Sequence, residues 1–313
     1  MNNKLLVILG PTASGKSDLA IKIAKLFNGE VVSADSRQVY IGMDIGSAKV
    51  IRDNDKKGYF SDGINHHLLD VSNPKEYFTV SQYKELADKA IEGIQKQNKL
   101  PILCGGTGLY ISSVIEGWQF PNVLPNENLR KDLESKTTKQ LFDELSLLDQ
   151  ERAKKIDAKN RRRLIRAIEI AKNKGKVPKL SKNAPDWNIF IIGIKKEVPE
   201  LKQLILERID QRIDLGMIRE VETLKESGVS SKRLEGFGLE YKWINRYLEN
   251  KVTIDEMKQK IFMDTCHFIK RQMTWFKKMK NIWWIDDEKQ AFAALDRWLK
   301  TNKNRLTFND EVC

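Results

Sequence analysis

The chain has 313 residues, 41% of them hydrophobic, and a formal net charge of +12. Its apolar content excludes wholesale disorder, and its length suits two domains or one domain with a sizeable insertion. The basic excess points either to a polyanionic partner such as nucleic acid or to a lysine-rich solvated surface. Lys4–Leu9 is a continuous apolar run and reads as a buried parallel strand. That run is too short to span a bilayer and lacks a signal-peptide cleavage pattern, so a soluble, cytoplasmic protein with no membrane partner is expected. A loop over residues 10–15 precedes a helical pattern over 16–27, with Leu19, Ile23 and Leu26 on one face. Residues 30–34 read as a second strand ending at Asp35, 80–95 as an amphipathic helix, and 100–104 as a further buried strand closed by Gly105 and Gly106. Alternation of this kind predicts an α/β fold with a doubly wound parallel sheet.

After Trp118 the character changes. Residues 126–174 carry no strand signal and are rich in Lys, Arg, Glu and Leu, so they read as helices only. A loop-like stretch around 174–185 holds Gly175, Pro178 and Pro185, and residues 187–194 return to a sheet pattern. The predicted architecture is a core of residues 1–119 and 184–313, interrupted by an all-helical insertion over 120–183, with the region 198–300 mostly helical. No internal repeat or low-complexity tract is visible. Of the three cysteines, Cys104, Cys266 and Cys313, none forms a CxxC pair, so neither a zinc site nor a disulfide framework is indicated. The final residues Glu311, Val312 and Cys313 do not make a prenylation box.

Gly10, Pro11, Thr12, Ala13, Ser14, Gly15, Lys16 and Ser17 fit G-x-x-x-x-G-K-[ST], set between a predicted strand and a predicted helix. Such a loop curls backbone N–H groups around phosphate oxygens at a helix N-terminus, Lys16 adds a point charge, and Ser17 can hold Mg²⁺. The motif specifies a polyphosphate, not ATP. A nucleotide hydrolase of this class also needs an acidic residue at the end of a second strand. The strand at 100–104 ends in two glycines, and the only well-placed acid is Asp35. Asp35 is open to three readings at this point: a base, a magnesium ligand or a helix cap.

Asp35, Ser36, Arg37, Gln38, Val39 and Tyr40 run directly on from the second strand, followed by Gly42-Met43-Asp44-Ile45-Gly46-Ser47-Ala48-Lys49. Together with the phosphate loop and Gly105-Gly106-Thr107-Gly108-Leu109-Tyr110, this set resembles the tRNA dimethylallyltransferase family. Further matches are His67-Leu68-Leu69-Asp70, Arg163-Leu164-Ile165-Arg166-Ala167-Ile168-Glu169, and Lys270-Arg271-Gln272-Met273-Thr274-Trp275-Phe276. They run in order from Gly10 to Phe276. The resemblance implies a phosphate-loop core with a helical insertion that grips the tRNA anticodon stem-loop. It also implies transfer of a dimethylallyl group from dimethylallyl diphosphate to N6 of the adenosine beside the anticodon, position 37, with Mg²⁺ assisting.

The resemblance makes Asp35 the base that takes the proton of a weakly nucleophilic amine. Thr107, after two glycines, would meet the leaving diphosphate opposite Lys16 and Ser17, unless it is only part of a glycine-rich turn. Residues 208–213 (RIDQRI) resemble the family's R-I-x-x-R segment, whose second arginine, here Arg212, meets the diphosphate. The plain alternative for Arg212 is an exposed helix with ion pairs to neighbours. The family carries about four more residues, roughly one helical turn, before its G-h-h-x-E-V element, here residues 216–221, so the aim of Arg212 is open.

On the RNA side the resemblance selects Asp35, Ser36, Arg37, Gln38 and Thr107 around the target base. Gln38 offers an amide suited to an adenine edge, or an ordinary turn amide. Lys155, Lys159, Arg162 and Arg166 are spaced 4, 3 and 4 apart, which on one helix makes a basic stripe beside Arg163, or else a solvated face. Lys270, Arg271, Gln272, Lys277, Lys278 and Lys280 surround Trp275 and Phe276, a mixture suited to RNA, although the two aromatics themselves read as core. Residues 236–240 (GFGLE) are a weaker match to the family's glycine-aromatic tRNA contact. His66 and His67 are adjacent and would face opposite ways on a strand, a poor start for a metal site. The tryptophans Trp283, Trp284 and Trp298 read as packing. A monomer with no obligate protein partner is expected. The competing readings are a small-molecule kinase using the same loop and a non-catalytic RNA-binding protein.

Overall fold

The computed structural model describes residues 3–53 and 58–300; the C-terminal segment with Cys313 lies outside them. The chain opens with β1 (Lys4–Leu9), α1 (Lys16–Leu26), β2 (Gly29–Ser33), β3 (Phe60–Ser61), β4 (Ile64–His67), α2 (Val80–Lys96), β5 (Leu100–Gly105) and α3 (Gly108–Ile115). After a second unit, described below, come β8 (Asn188–Ile194), α8 (Val198–Asp214), α9 (Met217–Glu226), α10 (Ser231–Phe237), α11 (Leu239–Leu248), α12 (Ile254–Phe276), β9 (Ile282–Ile285) and α13 (Glu288–Lys300). The sheet order is β3-β4-β2-β5-β1-β8-β9, and every pairing is parallel except that of β3 with β4.

Both faces of this sheet are covered, as continuous apolar strands require. Alternate residues of β1 go to different layers: Leu5, Val7 and Leu9 join the core shared with α2, α3 and α8 to α12, whereas Leu6 and Ile8 join the core under α1 and α13. The α/β fold and the first strand–loop–helix unit thus follow from the apolar pattern. The edge strands do not. β9 is only four residues long, and its Trp283 packs edge-on to Phe190 with ring centroids 6.1 Å apart. In β4, His66 is buried and His67 Nε2 lies 2.6 Å from Glu30 Oε2, so the two histidines serve packing and an ion cluster.

Residues Glu116–Ala184 form a separate compact unit. It holds β6 (Trp118–Gln119), α4 (Glu127–Ser135), α5 (Thr138–Leu148), α6 (Gln150–Ala153), α7 (Arg161–Lys174) and β7 (Ser181–Lys182). Leu133, Leu141, Leu145, Leu164 and Ile168 are its fully buried core, and Asn126, Thr137 and Asn160 cap α4, α5 and α7 through their side chains. The insertion is helical, as expected, and where it joins the core β6 and β7 pair antiparallel, a two-residue ribbon too short to give a periodic signal. No described helix is long and apolar enough to cross a membrane.

Candidate functional site

The phosphate loop leaves β1 and turns into α1 at Gly15, whose φ of 83° lies in the left-handed region. Gly15 caps α1 without any side-chain bond, so the first-turn N–H groups of α1 stay available to an anion. The Lys16 ammonium folds back to donate to the Pro11 carbonyl. Burial pushes its pKa down to about 8, against the pull of Cys104 and Asp35 and with the help of the Arg208 charge. Ser14 Oγ is buried with no hydrogen-bond partner, and Ser17 lines the cleft beside Lys16.

Next in the sheet, β5 closes against the end of β2 at Gly105. A Cβ there would stand 2.3 Å from the Ala34 carbonyl oxygen, so only glycine permits the approach. That contact sets the following residue: Thr107 N–H donates to Ala34 O at 3.0 Å, and Thr107 Oγ1 accepts from Ser36 N–H at 3.1 Å. Asp35 Oδ1 accepts from the N–H groups of Arg37 at 2.8 Å and Gln38 at 3.4 Å. One carboxylate oxygen therefore caps the turn. No hydrogen bond to the other, Oδ2, is made by the described residues. Gln272 on α12 is buried and ties the two loops together, accepting from Thr12 N–H and donating to the Gly106 carbonyl, both at 3.0 Å.

The cleft, about 1240 Å³, is bounded on its far side by the loop 44–53 and by α8. That loop is pinned from three directions. Glu220 of α9 accepts from the N–H groups of Asp44, Ile45 and Gly46 at 2.6–3.0 Å and from the Tyr241 hydroxyl. The Gln38 amide donates to the Ser47 and Ala48 carbonyls, and Arg212 Nη1 donates to the Gly46 carbonyl at 3.1 Å and to Glu240 at 2.9 Å.

The IPP transferase family pattern matches residues 38–279, and an isopentenyl transferase pattern matches 3–58. The tRNA dimethylallyltransferase of Acetivibrio thermocellus is 42% identical, with 97% of each chain covered. This chain belongs to the IPP transferase family. A crystal structure of the tRNA isopentenylpyrophosphate transferase from Bacillus halodurans, 35% identical, superposes with a TM-score of 0.69 over 95% of this chain and 96% of that one. A eukaryotic dimethylallyltransferase acting on tRNA, 23% identical, shares the fold with a TM-score of 0.81 over 99% of this chain and 82% of its own.

In this member of the IPP transferase family Lys16, Ser17, Asp35, Gln38 and Arg212 line the cleft, whereas Thr107 is not among its lining residues and is tied to Ser36 N–H. Three RNA-side expectations change. Gln272 is an internal clamp, because both ends of its amide are used within the core. Gln38 also uses both ends, accepting from the Ser33 hydroxyl while its NH₂ holds the 47–48 carbonyls. The basic stripe is not one helix: α7 begins at Arg161, which leaves Lys155 and Lys159 in the preceding turns.

Arg166 is drawn inward to Glu169 and the Val123 carbonyl, and Arg130 completes the cluster. Burial alone would raise the pKa of Glu169, but the hydrogen bonds from Arg130, Asn126 N–H and Arg166 hold it below its usual range. Arg162 and Arg163 remain exposed on α7, as do Lys270 and Arg271 on α12. Trp275 reaches Ser112 at 3.0 Å and Phe276 is fully buried, so both aromatics pack, as read from sequence. Sequence reasoning missed the Glu220 anchor: a glutamate between Arg219 and Val221 on an amphipathic helix looks like any solvated helix face.

Proposed function

We propose that this chain transfers the dimethylallyl group of dimethylallyl diphosphate to N6 of adenosine 37 in tRNA and releases diphosphate. The observation that carries it is one cleft in which a phosphate loop faces a carboxylate with a free oxygen: Lys16 and Ser17 at the start of α1, Asp35 just past the end of β2. As the N6–carbon bond forms, Asp35 Oδ2 takes the amine proton and the electrons of the breaking carbon–oxygen bond pass to the diphosphate. The first-turn amides of α1, Lys16 and a guanidinium from α8 take up the charge of the leaving group. Thr107 uses its oxygen lone pair on Ser36 N–H, so its own proton is free to donate.

Among the described residues no group of three or more His, Cys, Asp or Glu is placed to hold an ion. A magnesium ion would therefore be held by Ser17 and by diphosphate oxygens, and when bound it would neutralise part of the leaving charge. Exposed Arg162, Arg163, Lys270 and Arg271 suit the phosphates of an anticodon stem-loop. The deciding experiment incubates the protein with dimethylallyl diphosphate, Mg²⁺ and unmodified tRNA and reads the RNA by mass. Addition of one C5 unit at adenosine 37 supports the reading. Unaltered RNA together with brisk ATP turnover refutes it in favour of a kinase.

Lys16 supplies a second check. Below pH 8 the ammonium is charged with or without an anion, so diphosphate binding takes up no proton through it. Between about 8 and its ordinary 10.5 the free protein has released that proton, and a bound diphosphate draws it back. Calorimetry at pH 9 in two buffers of different ionisation enthalpy is expected to show proton uptake beyond that of Lys16→Arg, whose side chain stays charged. Equal proton balance in the two proteins contradicts the buried ammonium.

A further inference from the structure

The turn that carries Asp35 leads into a chain of ring and guanidinium contacts. Arg37, whose N–H donates to Asp35 Oδ1, has its guanidinium 5.6 Å from the centre of the Phe237 ring on α10. Arg233, one turn earlier on the same face of α10, lies 4.4 Å from that ring. It also lies 4.4 Å from the ring of Tyr77, in the loop between β4 and α2. Tyr40 stands alongside, 5.1 Å from both Arg233 and Phe237. Contacts therefore run from Arg37 through Phe237 and Arg233 to Tyr77, and Tyr77 is 61% exposed.

A lone exposed tyrosine needs no explanation, but this one is propped. Arg233 Nε donates to the Pro74 carbonyl at 2.8 Å and Nη2 donates to the Glu76 carbonyl, so the guanidinium braces the loop under the ring that it touches. Its donors go to carbonyls, and among the described residues no carboxylate pairs with it. Burial lowers the pKa of Arg37 and the Arg233 charge adds to that, while Asp35 pulls the other way, so two cations are held near each other beside the reacting carboxylate. Rings interleaved with guanidinium groups suit single-stranded RNA, whose bases stack on the rings and whose phosphates meet the cations. An adenine that leaves its stack to reach Asp35 also strips its neighbour of a stacking partner. A protein ring placed beside that turn can take the vacated face.

We propose that the Tyr77 ring is a stacking platform for an unpaired base that flanks the target adenosine, and that Arg233 is the positioning residue that holds it there. This rests on reading Asp35 as the group that meets the target adenine. Arg233 acts through Tyr77 and makes no phosphate contact of its own, because its donors are spent on the loop. The platform therefore adds affinity that depends on a base being present and not on charge.

The test titrates synthetic anticodon stem-loops into wild type, Tyr77→Ala, Tyr77→Trp and Arg233→Met at several salt concentrations. One RNA is intact, and two others carry an abasic residue on one or the other side of the target adenosine. Tyr77→Ala is expected to bind the intact RNA about 5- to 150-fold more weakly, the range for one base stacked on an aromatic ring. Its Tm and its salt slope stay at the wild-type level, since the ring is exposed and uncharged. Tyr77→Trp keeps the affinity. On one of the two abasic RNAs wild type loses the same factor and Tyr77→Ala loses nothing more. Arg233→Met shows the same base-dependent loss with an unchanged salt slope. The proposal is overturned if Tyr77→Ala binds the intact RNA as wild type does, or if its deficit persists in full on both abasic RNAs. A reduced salt slope in Arg233→Met makes that residue a phosphate contact and overturns its positioning role. Wild type that binds no stem-loop at all rejects the underlying reading instead.

Discussion

Asp35→Asn is expected to slow single-turnover prenyl transfer by roughly 10²- to 10⁴-fold, the range for removing a general base, while tRNA affinity stays near wild type. The lone pair of an adenine amine is delocalised into the ring, so the nitrogen attacks well only as its proton leaves. On the proposed reading Asp35 has two separable duties. Oδ1 caps the turn through Arg37 and Gln38 N–H, and Oδ2 is left to the cleft. Asparagine keeps an oxygen for the first duty and offers no base for the second. Asp35→Ala removes both. Comparing the two variants by rapid-quench transfer and by tRNA binding separates base from cap. Rapid transfer by Asp35→Asn beside a crippled Asp35→Ala would leave Asp35 as a cap only, and the chemistry would need another base.

Local signals made half of this site legible. The phosphate loop is contiguous and sits between a strand and a helix that apolar periodicity identifies, so residues 10–17 could be placed without knowing any partner. Asp35 was visible because it ends a strand, and Thr107 because two glycines precede it. What stayed hidden depends on pairings distant in sequence. Gln272 meets Thr12 across 260 positions, and Glu220 meets Ile45 across 175. Nothing in a window around a glutamine tells whether its amide will face RNA or clamp two loops. Arg166 shows the same limit: its spacing fits a surface stripe, but the buried Glu169 three residues on captures it. Edge strands β3, β6, β7 and β9 were missed for a different reason. Two to four residues carry too few alternations to be told from loop.

These distant contacts give the cleft a common design. Gln272 fixes the phosphate loop against the β5–α3 turn, and Glu220 fixes the opposing loop, so neither wall depends on the reacting groups for its position. Asp35 and Lys16 can then be judged by what they do to substrate. Preorganised donors of this kind stabilise developing charge without reorganising at the moment of reaction.

Lys16→Met is the sharpest case, because activity and stability should move in opposite directions. Loss of one preorganised donor to the leaving group is expected to lower kcat/KM for dimethylallyl diphosphate by roughly 10²- to 10³-fold. In the substrate-free protein the same ammonium is a burden. Burial pulls its pKa from 10.5 to about 8, which means that the folded state disfavours the charged form. At pH 7 that penalty is present in full. It fades as pH rises from 8 towards 10.5, because the folded protein can then shed a proton that the unfolded chain keeps. Methionine fills similar volume without the charge and gives up the bond to the Pro11 carbonyl and the attraction of Asp35, which burial outweighs. Melting at pH 7 should therefore find Tm of the variant equal to or above wild type, with the gap narrowing by pH 10. Adding Mg²⁺ and diphosphate should reverse the order, since only wild type gains a partner for its buried cation. A variant that melts early at pH 7 yet transfers at the wild-type rate would show that Lys16 shapes the loop and leaves the diphosphate to others.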